Sequence, residues 1–167
     1  MIDRGPTENR IYIARKALIM DKLDRLYTLQ KALNDKTFAK NGLLNPDTGK
    51  PLKIADFFEA CEQGRLHKGG VVAEWIQNYA RALDQETAEL VDSVPWKWWS
   101  RDKDVDIQNL RVEIVDALHF WLSLAMVAGM TPDDILRLYE QKNRVNHERQ
   151  DSEATTIWTR TKATTRR

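Results

Sequence analysis

DQETAELVDSVPWKWWSRDKDVDIQNLRVEIVDALHF, residues 84–120, carries two carboxylate pairs, Glu86/Glu89 and Glu113/Asp116, each spaced i, i+3. On an α-helix this spacing sets both side chains on one face, about one turn apart. Between the pairs lie PWKWW and the polar SRDKDVDIQN, a loop in which Pro95 stops the first helix. If the flanking helices fold back as an antiparallel hairpin, Glu89 lies level with Glu113 and Glu86 with Asp116. Four like charges then share one small volume, and hard oxygen ligands of this kind suit Mg²⁺. A single Glu-x-x-Glu is common on a solvated helix face. Two pairs at matching distances from one turn, beside the apolar Leu90, Ile114, Ala117 and Leu118, favour a site.

Working outward, the first of these helices is expected from Val71 to Ser93, with Val72, Trp75, Ile76, Tyr79, Leu83 and Leu90 as its apolar stripe. Trp75, Ile76 and Tyr79 suit either the core or an interface with a second copy. The second helix is expected over 108–129, ending at Gly129. Thr131-Pro132-Asp133-Asp134 then reads as a helix start: hydroxyl cap, proline at the first helical position, acids in the first turn. On the helix it opens, 132–150, Lys142, Asn146 and Arg149 step by four and three and share a face, with Tyr139 and Asn143 beside them. Alone, such a row is a solvated helix face. Residues 151–167 lack apolar periodicity and are expected to be a flexible tail, with Trp158 free to dock.

Upstream, residues 8–34 read as a long helix with Ile11, Leu18, Leu26, Leu29 and Leu33 among its apolar positions, capped by Thr7 or Asn9. Gln30 and Asn34 lie one turn apart on it and, taken alone, are two solvated amides. Residues 35–70 form an insert with a turn-rich LNPDTGKP (44–51) and a short helix, IADFFEACEQGRLH (54–67), which buries Ile54, Phe57, Phe58 and Cys61 and stops at Gly64. Gly42, Gly49 and Lys50 miss the spacing of a phosphate loop. No strand pattern or internal repeat is visible, and the expected fold is an all-α helical bundle. Residues 1–150 are expected to form its single domain.

With 167 residues and a formal charge of +1, the chain has enough length for a core and no basic footprint for nucleic acid. One cysteine excludes an internal disulfide, and Cys61 reads as a packed thiol. No signal peptide and no apolar run of membrane length are seen, so a cytoplasmic protein with no membrane partner is expected.

Acids that hold Mg²⁺, together with Lys and Arg, are the parts of phosphoryl chemistry. No Ser-His-Asp or Cys-His arrangement offers a covalent nucleophile, so water is the expected attacker, oriented or deprotonated by a spare carboxylate. Trp98, His119 and Phe120 offer flat surfaces to a base and sugar, although His119 also suits a core.

In combination, E-x-x-E, PWKWW, E-x-x-D-x-x-H-F and Y-x-x-K-N-x-x-N-x-x-R-Q resemble the all-α nucleoside triphosphate pyrophosphatases. Within them they resemble the dimeric dUTPases and their phage-type dCTPase/dUTPase relatives, over residues ~20–151. The resemblance implies Mg²⁺-dependent hydrolysis of dUTP, and of dCTP as a second substrate, to the monophosphate and pyrophosphate, with Mn²⁺ able to replace Mg²⁺. It implies a homodimer, in the host cytoplasm for a phage-encoded member. Glu86, Glu89, Glu113 and Asp116 match its metal-ligand and catalytic positions. Lys142, Asn146 and Arg149 match its phosphate-binding motif, with Tyr139 and Asn143 beside them. Gln30, Asn34, Trp98, His119 and Phe120 match its base and deoxyribose region. The 35–70 insert fits the phage-type enzymes. After Arg149-Gln150-Asp151 the chain runs SEATTIW where relatives often continue with Gly-Tyr. Two rival functions are a house-cleaning pyrophosphatase for other or modified nucleotides and a non-catalytic helical interaction protein.

Overall fold

The computed structural model describes residues 21–99 and 104–164, with side chains as far as 151. The expected helix before residue 21, with its caps and with Ile11 and Leu18, lies outside the described residues, as does the side chain of Trp158. Five helices are described: α1 (Lys22–Lys40), α2 (Ile54–Glu62), α3 (Val71–Asp92), α4 (Ile107–Val127) and α5 (Pro132–Thr164). The all-α expectation is met, and no strand is found among the described residues beyond an isolated bridge between Leu44 and Pro51. No single described helix is long and apolar enough to cross a membrane.

Helices α3 and α4 pack against each other more extensively than any other pair, and α1 and α2 lie against α4. The core is aromatic where α1, α2 and α3 meet. Phe38, Phe57 and Trp75 pack edge to face with ring centroids 4.7–6.2 Å apart, and Trp75 continues to Tyr79 at 5.3 Å. Trp75 and Tyr79 therefore belong to the core. Contacts in such geometry add stability beyond the area they bury.

Helix α1 turns a different face inward from the one its leucines suggest. Tyr27, Gln30, Asn34 and Phe38 are buried, whereas Leu26, Leu29 and Leu33 remain 43–59% exposed. The helix also runs past Asn34 to Lys40 and ends at Gly42, whose φ of +61° favours glycine.

The insert is ordered by two aspartates. Asp35 accepts from the Ile54 backbone N–H at 2.7 Å, satisfying the start of α2. Asp47 accepts from the Val71 N–H at 3.1 Å, at the start of α3, and pairs with Arg65 at 3.1 Å. Backbone N–H groups at a helix start have no partner within the helix, which is why carboxylates serve there. Helix α4 starts in the same way, with Asp106 accepting from the N–H groups of Gln108 and Asn109.

Contacts divide the chain into a unit ending at Met130 and a second beginning at Thr131. The second is α5, which opens where TPDD predicts. Thr131 and Asp134 exchange hydrogen bonds, Thr131 N–H to the carboxylate at 3.1 Å and Asp134 N–H to the hydroxyl at 3.2 Å. It then continues helical to Thr164, through the stretch expected to be a tail. No glycine or proline follows Pro132 to stop it.

Candidate active site

The α3–α4 hairpin brings Glu86 and Glu89 from α3 against Glu113 from α4, with ligand oxygens all within 4.8 Å of one another. Asp116, expected level with Glu86, is not in that group. Its charge is still felt. Partial desolvation, then Glu89, Asp116 and Glu113, hold the Glu86 carboxyl above its ordinary value.

Two amides that sequence reasoning missed steady this cluster from their own helices. Gln85 donates to Glu89 at 2.8 Å and Asn109 to Glu113 at 3.2 Å, both i, i+4. The signal was available, since amide–carboxylate pairs four apart on a helix meet. Each leaves one carboxylate oxygen for a ligand.

The carboxylates suit a hard divalent cation. Around Mg²⁺, oxygens at about 2.1 Å stand no more than about 4.2 Å apart. The observed cluster needs only a small inward adjustment to reach that spacing, and a cation would relieve the repulsion that raises Glu86.

A second polar group lies between α1 and α4. Gln30 and Asn34, only 5% exposed, are not solvated amides. Gln30 Nε2 donates to Asn34 Oδ1 at 3.0 Å and to Ser123 Oγ at 3.1 Å, and Asn34 Nδ2 donates to Ser123 Oγ at 3.0 Å. Ser123, fully buried, donates in turn to the His119 carbonyl at 2.9 Å. Gln30 Oε1 is bonded to His119 Nδ1, and the buried Tyr79 hydroxyl also reaches Ser123. Burial pushes that hydroxyl well above the ordinary tyrosine value. Ser123 was not singled out in the sequence, because a serine in an apolar helix gives no periodic signal.

Gln30 and His119 also line a small pocket of about 80 Å³ whose remaining walls are apolar. The other expected base and sugar contacts go elsewhere. Phe120 packs on Tyr79 at 6.3 Å, and Trp98 is 88% exposed, edge-on to Trp99 at 5.5 Å. On α5, Tyr139, Lys142, Asn143, Asn146 and Arg149 are all exposed.

Comparison with known proteins gives the same family as these motifs. The chain is 28% identical over 126 residues to the dCTP pyrophosphatase of Enterobacteria phage T4, covering 60% of this chain and 74% of the relative. It is 29% identical over 110 residues to the dCTP pyrophosphatase of Enterobacteria phage LZ5, covering 52% and 64%. A DNA replication protein of Enterobacteria phage T4 is 25% identical over 118 residues, covering 56% of this chain and 30% of the relative. No solved structure matches. A profile of the dUTPase family covers residues 22–131, from the start of α1 to the end of the carboxylate hairpin. Matched over that span, which contains both the carboxylates and the Gln30–His119 pair, the chain belongs to the dUTPase family, in its phage-type dCTPase/dUTPase branch of the all-α nucleoside triphosphate pyrophosphatases.

Proposed function

We propose that the protein hydrolyses a deoxypyrimidine nucleoside triphosphate to the monophosphate and pyrophosphate, with Mg²⁺ held by Glu86, Glu89, Glu113 and Asp116. The observation that carries this reading is the convergence of three carboxylates within 4.8 Å on the α3–α4 hairpin. The family description, dUTPase, and the relatives' name, dCTP pyrophosphatase, support a pyrimidine triphosphate as substrate.

Bound there, Mg²⁺ supplies neutralisation of phosphate oxygens and acidification of water. The chain's own residues do the rest. Gln85 and Asn109 hold Glu89 and Glu113 in place, so the carboxylates need little reorganisation. A carboxylate oxygen left free accepts the proton of the attacking water. Lys142, Asn146 and Arg149, with Tyr139 and Asn143, bind the phosphates and stabilise charge on the departing pyrophosphate. Gln30 and His119 face the base, and Asn34 holds the Gln30 amide from behind. Glu113 and His119 lie six residues apart on α4, about 9 Å along its axis and about 120° around it.

The working form in this proposal is a homodimer. Ile107, Ile114 and Trp121 recur every seven residues along α4 and stay 43–54% exposed. A stripe of that period suits the same helix of a second copy. Ile114→Glu is expected to shift the sedimentation coefficient to that of a monomer.

The deciding experiment is hydrolysis of the eight common ribo- and deoxyribonucleoside triphosphates with and without Mg²⁺. Metal-dependent turnover of dUTP or dCTP is expected. Preference for a purine or modified nucleotide points to the house-cleaning role, and no turnover at all overturns the enzymatic reading.

A further inference from the structure

The hydrogen-bond directions around Ser123 follow from its inventory of one donor hydrogen and two lone pairs. The hydrogen goes to the His119 carbonyl one turn back, at 2.9 Å, shared with the Tyr79 hydroxyl. Only lone pairs then face the two amides, so Gln30 and Asn34 must each present N–H to the hydroxyl, as they do at 3.1 and 3.0 Å. A flipped Gln30 would set its carbonyl against both Ser123 Oγ and Asn34 Oδ1, oxygen to oxygen, in a buried site.

With the amide so held, both Gln30 N–H groups are consumed inside the protein, and its carbonyl oxygen points to His119 Nδ1. A carbonyl only accepts, so Nδ1 carries the proton. In the neutral ring Nε2 is then a bare acceptor. No described residue bonds it. His119 is exposed, so what it can offer a ligand beside the apolar side chains of Leu26, Leu29, Leu118 and Leu122 is an acceptor, the Nε2 lone pair.

We propose that Ser123 is a positioning residue: by fixing the Gln30 amide it fixes the His119 tautomer, and so makes the exposed His119 ring select a ligand amino group over a carbonyl. Cytosine brings two hydrogens on one nitrogen at its 4-position. Uracil brings an oxygen there, which would meet the Nε2 acceptor lone pair to lone pair. This rests on the reading that Gln30 and His119 face the base. It reverses the order that the family resemblance implies, which puts dUTP before dCTP.

The test pairs kinetics with NMR on the full chain. Imidazole ¹⁵N shifts report which ring nitrogen is protonated, and His119→Gln assigns the signal among the three histidines. The wild type is expected to show His119 protonated on Nδ1, with kcat/KM higher for dCTP than for dUTP. Ser123→Ala frees the Gln30 amide. It is expected to lower the dCTP:dUTP ratio about tenfold, the equivalent of one net hydrogen bond, and to give a mixed tautomer. Ser123→Thr, which keeps the hydroxyl, is expected to restore both. A folded Ser123→Ala with unchanged ratio and tautomer overturns the proposal. So does a wild-type ring protonated on Nε2, a result that needs no variant to fold. If the wild type hydrolyses no triphosphate, the enzymatic reading fails, while the tautomer measurement still decides whether Ser123 sets His119.

Discussion

Glu113 and Gln30 are both polar residues on helices, yet removing them should have opposite effects on the empty protein. Glu113 stands among like charges, within 4.8 Å of Glu86 and Glu89 at their ligand oxygens. Glu113→Gln removes one of those charges and keeps an oxygen that Asn109 can bond. It is expected to abolish turnover while leaving the metal-free protein at least as stable as wild type by thermal melting; near-normal activity would remove Glu113 from the site. Gln30 is 5% exposed and bonded to Asn34, Ser123 and His119. Gln30→Leu leaves Asn34 Oδ1 and a Ser123 lone pair buried with fewer partners, and should cost about 1–3 kcal/mol in urea unfolding. A loss of pyrimidine preference with no change in stability would contradict that network. Sequence spacing found the carboxylates because they are an i, i+3 pattern on two elements. It left the amides ambiguous because burial is not written in i, i+4 spacing, and it passed over Ser123 because one hydroxyl among apolar neighbours makes no pattern.

At the scale of elements, the clearest signals were punctuation. Gly129 ends α4 with φ +69°, and an added Cβ would lie 2.9 Å from that of Cys61. Gly129→Ala should therefore destabilise by about 1–2 kcal/mol from backbone strain alone, with more from the contact, read as a lower urea midpoint at unchanged slope. Thr131-Pro132-Asp133-Asp134 gave the start of α5 because a capping residue and a proline are local devices. Hydrogen bonds from Arg137 and then Thr131 hold the Asp134 carboxyl down at about 2, below its ordinary 3.8. A carboxyl depressed on folding adds stability above its unfolded pKa, and that stability is lost as pH falls through the folded one. Helicity of the wild type should therefore fall relative to Asp134→Asn between pH 4 and 2; parallel acid titrations by circular dichroism would refute the cap's role. Two elements were harder to read. The leucines of α1 suggested the wrong inward face because tertiary contacts, chiefly Ser123 and the aromatic core, claimed its polar side. The far end of α5 looked like a tail because it has no apolar stripe, yet nothing in its sequence breaks a helix.

For the whole molecule, the proposed function has metal, phosphate and base read by groups of different physical kinds, and each would leave a separable mark. Lys142→Ala and Arg149→Ala alter exposed positions on α5, so both should fold normally while kcat falls on the order of 10²-fold. Unchanged kcat/KM in both would remove α5 from the phosphate site. The metal cluster leaves its mark on stability, and the sign depends on pH. Partial desolvation and three neighbouring carboxylates raise the Glu86 carboxyl above its ordinary value. A carboxyl raised on folding binds its proton more tightly in the native state. Its ionised form therefore weighs against folding above the folded pKa, and that cost disappears as pH falls below the unfolded one. Without metal, the Glu86 contribution to stability should rise on mild acidification, seen as the difference in Tm between wild type and Glu86→Gln. Mg²⁺ reverses this. A cation that binds only the folded state stabilises it by about 2.7 kcal/mol at a hundred times its dissociation constant, and protons compete with it for the same oxygens. With saturating Mg²⁺ the same difference should be positive near neutral pH and shrink on acidification. Identical pH trends with and without Mg²⁺ would mean that the carboxylates converge without holding the ion.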